Sequence, residues 1–297
     1  ASQAVLSLVL PKGSLERPTL DLLAAADLAV ERSSQVDYRA MIDDPRITEV
    51  RILRPQEIPR YVEDGLFDLG ITGRDWIEET GAKVTSLGEL AYSKQTTHPI
   101  RVVLAVGDAS PVASVADLAK LGRPRVSTEY PELTRRFLAA EGVDADVRLS
   151  YGATEAKVPD IADAVVEITE TGRALRAAGL RIIGTLLTSR TELVANVAAA
   201  ADPDKRQAMA QLVTLLQGAL EARAKVLVKL NVAAADFDAV LDVLPSARNP
   251  TISQLSGEEG FAVEAVVPKA AINLLIPALK DAGATDILEL ALAKIVH

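Results

Sequence analysis

Apolar residues recur along the first third of the chain in two alternating rhythms. Short apolar runs of strand length, VLSLVLP at residues 5–11, EVRILRP at 49–55 and FDLGIT at 67–72, are bounded by turn residues. Between the first two, the segment RPTLDLLAAADL at 17–28 repeats its leucines at helical spacing. Strands that alternate with helices predict an α/β fold with largely parallel strand pairing.

A second apolar series begins with IRVVLAV at residues 100–106 and continues the same pattern of strand and helix. The long strand-like stretch at 180–196 is expected to cross between lobes. We therefore predict two lobes, the first formed by residues 1–98 with 185–205 and the second by residues 99–184.

The pattern changes near residue 202, where Asp202 and Pro203 are typical of a helix start. The order that follows is β-α-β-β-α-β, which is the ferredoxin-like order. It is predicted as strand 226–232, helix 234–244, strands 250–255 and 261–267, helix 269–282 and strand 286–294. We place a domain boundary near residue 205 and predict an α+β domain over 206–297.

Composition limits the class of partner. Hydrophobic residues make up 49% and charged residues 25% of the chain, an ordinary balance for a protein that buries a core. The net charge of −9 disfavours a binder of nucleic-acid backbones. A small anionic ligand remains compatible, because a local group of arginines and backbone N–H groups can outweigh the overall field.

Cysteine is absent, which excludes disulfides, thiol nucleophiles and cysteine-ligated metals. With only His98 and His297, we predict no protein-held metal site. The apolar N-terminal segment is more typical of a first strand than of a signal peptide, and no run reaches transmembrane length. We therefore expect a cytoplasmic protein without a membrane partner.

The segment EITETGRAL, residues 167–175, has the composition of an anion-binding turn. It follows a strand and enters a helix, whose first N–H groups are free to meet a phosphate. Gly172 allows close approach of the backbone, Thr169 and Thr171 add hydroxyls, and Glu167 could hold ribose hydroxyls. A capped helix after a strand explains the same residues, so the motif alone leaves both interpretations open.

Three other turns have the same character. They are LPKGSLERP at 10–18, LGITGRD at 69–75 and STEYPELTRR at 127–136. Each follows a predicted strand, at the edge of an α/β sheet where ligands bind. An ordinary β–α turn or a capped helix explains each one by itself, but four anion-suited turns in one α/β unit favour a site for phosphates.

These segments resemble the long-form ATP phosphoribosyltransferases, which catalyse the first step of histidine biosynthesis. The similarity runs in order through LPKGSL, RPQEIPRYVEDGLFDLGITGRD, TEYPELTRRFLAAEGV, ADAVVEITETGRALRAAGL, NPTISQL and LKDAGATDILEL. The resemblance implies transfer of a phosphoribosyl group from 5-phosphoribosyl-1-pyrophosphate (PRPP) to N1 of ATP, with Mg²⁺. It also implies a two-lobed catalytic part similar to periplasmic binding proteins.

The resemblance further implies that the C-terminal ferredoxin-like domain is ACT-like and binds histidine as a feedback inhibitor. The implied assembly is a homo-oligomer, a hexamer of dimers. Regulatory residues implied near the PSARNPT turn and the strand ends are Asn231, Ser246 and Thr251.

Matching positions also imply roles in the catalytic part. Those implied in catalysis are Lys12, Asp163 and Glu167. Those implied in PRPP binding are Gly13, Glu155, Thr169, Glu170, Thr171, Gly172, Arg173, Ala174 and Leu175. Those implied in ATP binding are Arg39 and Arg54, with a contribution across a subunit interface, and Thr72, Gly73 and Arg74.

The chain departs from the family pattern in two places. Ala174 stands where a second threonine is common in the phosphate loop, and YGATEAKVPDIAD replaces a Gly-Ser-Val-Glu-X-Ala-Pro pattern upstream. Two other functions therefore stay open at this point. One is a non-catalytic two-lobed protein that binds a small anion or effector, and the other is an inactive regulatory paralogue.

Overall fold

The computed structural model describes residues 5–91, 99–245, 249–257 and 259–297. It folds as two compact units, one formed by residues up to Leu20 with Val30–Met209 and the other by Asp21–Ala29 with Ala210–His297. Within the described residues, no helix combines the length and the apolarity that crossing a bilayer requires.

Strands and helices follow one another along the described chain, as the sequence predicted. The strands are β1 Leu6–Pro11, β2 Val30–Glu31, β3 Arg39–Ile42, β4 Ile47–Leu53, β5 Leu69–Gly73, β6 Thr85–Glu89, β7 Ile100–Gly107, β8 Arg125–Thr128, β9 Asp146–Leu149, β10 Ala164–Thr169, β11 Leu180–Ser189, β12 Thr191–Ala195, β13 Lys225–Ala233, β14 Thr251–Gln254, β15 Gly260–Pro268 and β16 Thr285–Ala291.

The helices lie between these strands. They are α1 Glu16–Ala25, α2 Ile58–Glu63, α3 Arg74–Thr80, α4 Pro131–Ala140, α5 Arg173–Ala177, α6 Val197–Ala201, α7 Pro203–Ala222, α8 Phe237–Val243 and α9 Ile272–Asp281. Short 3₁₀ turns cover Gly13–Leu15, Ala116–Leu121, Thr154–Lys157, Ala234–Asp236 and Lys269–Ala271.

The first unit contains two sheets. One has the order β2-β3-β4-β1-β5-β12-β6, and β1 runs parallel to β4 and β5. The other has the order β11-β7-β10-β8-β9, with β10, β8 and β9 parallel and β7 antiparallel to β10. Each sheet therefore forms one lobe, and the carboxyl ends of several parallel strands meet at one edge of each sheet.

The chain crosses between the lobes through a break in the long strand-like stretch that the sequence predicted. The strand-like stretch 180–196 is two strands, β11 and β12, separated only by Arg190. Strand β11 pairs with β7 as far as Ser189, so residues 185–189 lie in the second lobe, although the predicted division gave them to the first. Apolar residues occur along both strands because both sheets have buried faces. Periodicity alone therefore cannot show where the strand of one sheet ends and the strand of the other begins.

The second lobe buries both faces of its sheet. On β7, Val102, Leu104 and Val106 pack into one core cluster, while Val103 and Ala105 pack into another on the opposite face. All five residues are fully buried. This double burial explains the continuous apolar run of IRVVLAV, in which no alternation with polar residues appears.

In the second unit, the strands form a sheet of order β14-β15-β13-β16, with α8 and α9 packed on one face. Val226, Val228 and Leu230 alternate along β13 and point into that core. The predicted β-α-β-β-α-β order is observed, and the last strand ends at Ala291 rather than at residue 294.

The core of the second lobe gives a stability prediction. Replacing Leu104, which is 0% exposed, by alanine removes buried methyl groups and leaves a cavity. We expect Leu104→Ala to lower the free energy of unfolding by about 3 kcal/mol in urea titrations. The control is Leu121→Ala, at a leucine that is 43% exposed, for which about 1 kcal/mol or less is expected. Equal losses for the two variants would contradict this packing.

Candidate active site

A cavity of about 430 Å³ opens between the two lobes of the first unit. The first lobe contributes the turns that follow β1, β4 and β5, and the second contributes residues after β8 and near the end of β10. Ligand sites of α/β sheets lie at such strand ends. The lining residues are Lys12–Leu15, Arg54–Gln56, Gly73, Asp75, Trp76, Ile100, Glu129, Tyr130, Ile168 and Ser189–Thr191.

Three cations line this cleft, Arg190 between the lobes and Lys12 and Arg54 on turns that follow strands of the first lobe. Lys12 directly follows β1, and its ammonium group lies 4.3 Å from the centroid of the Tyr38 ring, a cation–π contact. Arg54 follows β4, and the next residue, Pro55, accepts a hydrogen bond of 2.9 Å from the buried hydroxyl of Thr72. Positive charge therefore gathers locally in a chain whose net charge is −9.

A buried carboxylate joins the lobes beside the cleft. The Tyr130 hydroxyl, from the second lobe, donates to Oδ2 of Asp75 over 2.6 Å, and the Ser189 hydroxyl donates to Oδ1 over 2.8 Å. The Asp75 N–H donates back to Ser189 Oγ over 3.1 Å. All three residues are less than 9% exposed. Burial, reinforced by the Asp75 charge, raises the pKa of Tyr130, so its hydroxyl stays a donor.

Further contacts extend this junction between α3 and α4. The Trp76 and Tyr130 rings lie with their centroids 4.5 Å apart. The Glu79 carboxylate accepts the N–H groups of Glu132 and Leu133, each over 2.8 Å, at the first turn of α4. A carboxylate at a helix N-terminus satisfies donors that have no intrahelical acceptor. These bonds hold the two lobes in one arrangement around the cleft.

Glu167 is an ionisable group with an unusual environment in the second lobe. It lies in β10, and burial raises its pKa to about 7. The negative charges of Glu155 and Glu129 act in the same direction, whereas a hydrogen bond from Thr154 and the charge of Lys157 oppose them. Glu155 and Glu167 are therefore close enough to interact, which brings two of the predicted residues together.

The segment after Glu167 forms a tight turn into a short helix. β10 ends at Thr169, Gly172 has a φ of +75°, and α5 begins at Arg173. The Gly172 N–H donates to the Thr169 hydroxyl over 2.9 Å, and the Arg173 N–H donates to the Thr171 hydroxyl over 3.3 Å. A left-handed φ of this kind favours glycine.

Comparison with known proteins agrees with this architecture. The family described as "HisG: ATP phosphoribosyltransferase" matches residues 54–218, and its C-terminal domain family matches residues 222–294. A protein from Desulforudis audaxviator named ATP phosphoribosyltransferase is 46% identical over 291 residues, which cover 98% of this chain and 99% of that protein. One of the same name from Solibacter usitatus is 47% identical over 293 residues, covering 98% and 99%.

The chain belongs to the ATP phosphoribosyltransferase family. The match to the C-terminal domain makes it a long-form member, as predicted. Among solved structures, the ATP phosphoribosyl transferase (HisG:HisZ) complex from Thermotoga maritima contains a similar chain, with a TM-score of 0.60 and 26% identity. The similarity covers 72% of this chain and 97% of that one. The predicted fold class, a two-lobed α/β part with a C-terminal α+β domain, is confirmed.

The structure brings some of the residues that we predicted for an ATP phosphoribosyltransferase site into the cleft. Lys12, Gly13, Arg54 and Gly73 line it directly. Ile168, next to the predicted phosphate loop, lines it as well. The charge of Glu155 contributes to the raised pKa of Glu167, which lies in β10. The roles of Thr169, Glu170, Thr171, Gly172, Arg173, Ala174 and Leu175 stay predictions, on a turn whose position beside the cleft is compatible with them.

Three predicted residues are engaged elsewhere. Asp163 precedes β10 and accepts three hydrogen bonds from Arg125. Six residues of strand, about 20 Å, separate it from Thr169, and its predicted role in catalysis stays a prediction. Arg74 forms a bidentate ion pair with the buried Glu192, and Thr72 supports Pro55. Both residues shape the turns of the cleft, and their predicted contacts with ATP stay predictions.

Arg39 lies on β3 with its side chain exposed, opposite Arg51 on β4. It is outside the set of residues that line the cleft within this chain. Its predicted contact with ATP therefore stays a prediction that needs a second subunit.

Sequence reasoning missed several residues of the site. Asp75, Trp76, Glu129 and Tyr130 line the cleft. Asp75, Glu129 and Tyr130 stand in turns that the sequence had marked as anion-suited, and Trp76 directly follows one of these turns. A hydrophobic position such as Tyr130 gives no sign that its hydroxyl reaches across to another lobe. Ser189 could not be found at all, since it ends a strand with no motif around it.

The regulatory predictions fall on the second unit. Asn231 on β13 donates to Asp286 over 3.3 Å, and Thr251 on β14 lines a cavity of about 470 Å³. The strand pairing puts both on the sheet face opposite α8 and α9. Ser246 lies outside the described residues. Histidine binding here stays a prediction.

Phosphoribosyltransferases of this family generally need a divalent metal ion. Within the described ranges, no group of three or more carboxylate or imidazole side chains has the arrangement of a metal site. Magnesium in enzymes of phosphate substrates is commonly bound through the substrate's own phosphates.

The junction between the lobes gives a second prediction. Tyr130→Phe removes a donor to a buried carboxylate and should lower the free energy of unfolding by about 1–3 kcal/mol. The matched control is Tyr151→Phe, because Tyr151 is 84% exposed and its hydroxyl is accessible to water. We expect a change within about 0.5 kcal/mol for the control. Chemical denaturation of both variants measures the difference, and similar values would refute the role of the bond from Tyr130 to Asp75.

Proposed function

We propose that this cleft joins PRPP to N1 of ATP, giving N1-(5-phosphoribosyl)-ATP and pyrophosphate, the first step of L-histidine biosynthesis. The observation that carries the proposal is the meeting of Lys12 and Arg54 of the first lobe with Ile168, near the end of β10, in one cleft of a chain of the ATP phosphoribosyltransferase family.

The 5-phosphate of PRPP binds at the turn from Thr169 to Leu175. The N–H groups of Ala174 and Leu175 lie in the first turn of α5, where a helix offers no internal acceptor. Hydroxyls of Thr169 and Thr171 and the open backbone at Gly172 complete the contacts. Ala174 contributes its N–H group here and needs no hydroxyl.

The ribose and the leaving pyrophosphate use opposite charges. Glu167, with Glu155 near it, faces the ribose hydroxyls and the positive charge that develops on the sugar. Lys12 and the Gly13 backbone bind the pyrophosphate. We assign Mg²⁺ to the pyrophosphate, which brings the ion with the substrate and neutralises part of its charge.

ATP occupies the side of the cleft that Arg54 and Gly73 form. A second cavity of about 490 Å³ shares Arg54, Trp76 and Glu129 with the first, which gives room for a second substrate. The adenine N1 attacks the ribose C1 as the bond from C1 to the pyrophosphate oxygen breaks, and pyrophosphate leaves with the electron pair. Positioning of the two substrates supplies much of the rate, and no covalent nucleophile is required.

The remaining predictions belong to the same proposal. Residues 1–205 form the catalytic part and 206–297 the regulatory domain, which binds histidine near Asn231 and Thr251. Arg39 contacts ATP of a neighbouring subunit in a homo-oligomer, a hexamer of dimers. The protein acts in the cytoplasm.

Pyrophosphate release tests the proposal directly. We expect release that requires ATP, PRPP and Mg²⁺ together and that decreases when histidine is added. Omission of each component in turn is the control. Tight binding of one substrate without turnover would instead favour a binding protein or an inactive paralogue.

Gly172→Val tests the phosphate turn. A valine there strains a backbone at φ +75° and brings a side chain to the surface that the phosphate approaches, so PRPP affinity should fall by at least about 100-fold. Gly142→Val is the matched control, because Gly142 has a φ of +74° and lies after α4. Calorimetric titration with PRPP measures both variants. Equal affinities in the two variants would remove the turn from the PRPP site.

A further inference from the structure

The ring of Tyr38 covers the ammonium group of Lys12 at the edge of the cleft. The Lys12 Nζ atom lies 4.3 Å from the ring centroid, inside the distance of about 6 Å within which the face of an aromatic ring attracts a cation. Lys12 lines the cleft, whereas Tyr38 is outside the set of residues that line it. The reaction as proposed so far therefore gives Tyr38 no role.

Backbone hydrogen bonds fix the two residues on either side of β4. The Tyr38 carbonyl accepts the Ile52 N–H over 2.9 Å, and the Leu53 carbonyl accepts the Lys12 N–H over 2.7 Å. Tyr38 directly precedes β3 and Lys12 directly follows β1, and β4 lies between these two strands in the sheet. Neighbouring strands are about 4.8 Å apart, so the two side chains bridge roughly 10 Å, which their combined length allows.

The Tyr38 ring restrains the charge of Lys12 without neutralising it. Within the ranges that the structure describes, no carboxylate forms an ion pair with the Lys12 ammonium group, and no protein oxygen accepts a hydrogen bond from it. Arg190, which lines the same cleft, instead pairs with Glu89 over 3.5 Å. A carboxylate competes with a phosphate for its cation, whereas an aromatic ring attracts the cation through its quadrupole and carries no net charge.

We propose that Tyr38 is a positioning residue, whose ring holds the Lys12 ammonium group where the pyrophosphate of PRPP binds and leaves its full charge for that ligand. The lysine stem is long and flexible, and a side chain that is restrained before the substrate arrives loses less conformational entropy on binding. The inference rests on the proposed function, because it takes Lys12 as a group that binds pyrophosphate.

Two variants at position 38 test whether the ring itself matters. Tyr38 is 54% exposed, where a cation–π contact is at the weak end of its range, so Tyr38→Leu should lower kcat/KM for PRPP about two- to fivefold. Tyr38→Phe keeps the ring and should stay within about 1.5-fold of the parent. A loss in Tyr38→Phe as large as in Tyr38→Leu would overturn the inference, because it would assign the effect to the hydroxyl.

A double-mutant cycle with Lys12 separates positioning from a general effect on the fold. Lys12→Met keeps much of the stem and removes the charge, so the ring has no cation left to hold. Tyr38→Leu should then change kcat/KM by less than about 1.5-fold in the Lys12→Met background, against about two- to fivefold in the parent. Equal losses in the two backgrounds would overturn the inference.

Met41→Ala is the matched control for the strand that follows Tyr38. Met41 lies in β3 and is 69% exposed, so its truncation should change kcat/KM for PRPP by less than about 1.5-fold. A fall for Met41→Ala as large as for Tyr38→Leu would show that any disturbance of β3 lowers the activity, and the inference would be overturned.

Lys12→Met by itself separates this inference from the proposed function. Unchanged kcat/KM for PRPP in Lys12→Met would show that Lys12 does not bind pyrophosphate, and that part of the proposed site would fail together with the inference. A large loss in Lys12→Met with parent-like activity in Tyr38→Leu would overturn only the inference.

Discussion

The Asp75 carboxylate of the first lobe is buried at the junction and is satisfied by two groups of the second lobe. Tyr130 comes from the turn before α4 in the second sheet, and Ser189 is the last residue of β11 in the same sheet. An ionised carboxylate is costly to bury unless its oxygens are hydrogen-bonded, so the second lobe satisfies a buried group of the first. This junction fixes how the two sheets meet, and it therefore sets the width of the cleft and which residues face each other across it. In that arrangement Lys12 and Arg54 of the first lobe and Tyr130 and Ile168 of the second line the same cleft.

The first-lobe side of the cleft is positively charged, although the chain as a whole is negatively charged. The protein carries a net charge of −9, yet the first lobe gathers its cations at the ends of β1 and β4. Substrates with several phosphates are attracted by such a local field even when the distant field repels them. In the second lobe, burial and the charges of Glu155 and Glu129 raise the pKa of Glu167 to about 7, and Lys157 and Thr154 oppose that rise only in part.

Much of the fold could be predicted from the sequence, because the signals were local. Apolar runs closed by glycine or proline predicted β1, β5 and β7, and the β-α-β-β-α-β order of the C-terminal part was read from period and turn residues alone. The division of 180–196 into β11 and β12 could not be predicted, since one apolar run serves two sheets and only the pairing partners distinguish its halves.

The sequence predicted those residues of the candidate site that lie in turns directly after strands. It missed the residues whose place in the site depends on contacts between positions far apart in the sequence. Lys12, Gly13 and Arg54 follow strands, and strand ends gather at one edge of a sheet. Asp163 stands at the opposite end of β10 from Thr169, so its predicted role stays a prediction that the sequence neighbours alone support. The hydrogen bonds from Tyr130 and Ser189 to Asp75 join residues 55 and 114 positions apart, a distance over which the sequence has no pattern.

The threonine hydroxyls at the turn after β10 have a consequence for selectivity. In the structure, Thr169 and Thr171 already accept the N–H groups of Gly172 and Arg173. A ligand that binds these N–H groups must displace the threonine hydroxyls that already accept their hydrogen bonds. A neutral sugar hydroxyl would gain nothing by the exchange, whereas a phosphate dianion forms charge-assisted bonds about twice as strong. Such a turn would discriminate against unphosphorylated ribose compounds, because its N–H groups already have hydrogen-bond acceptors within the protein.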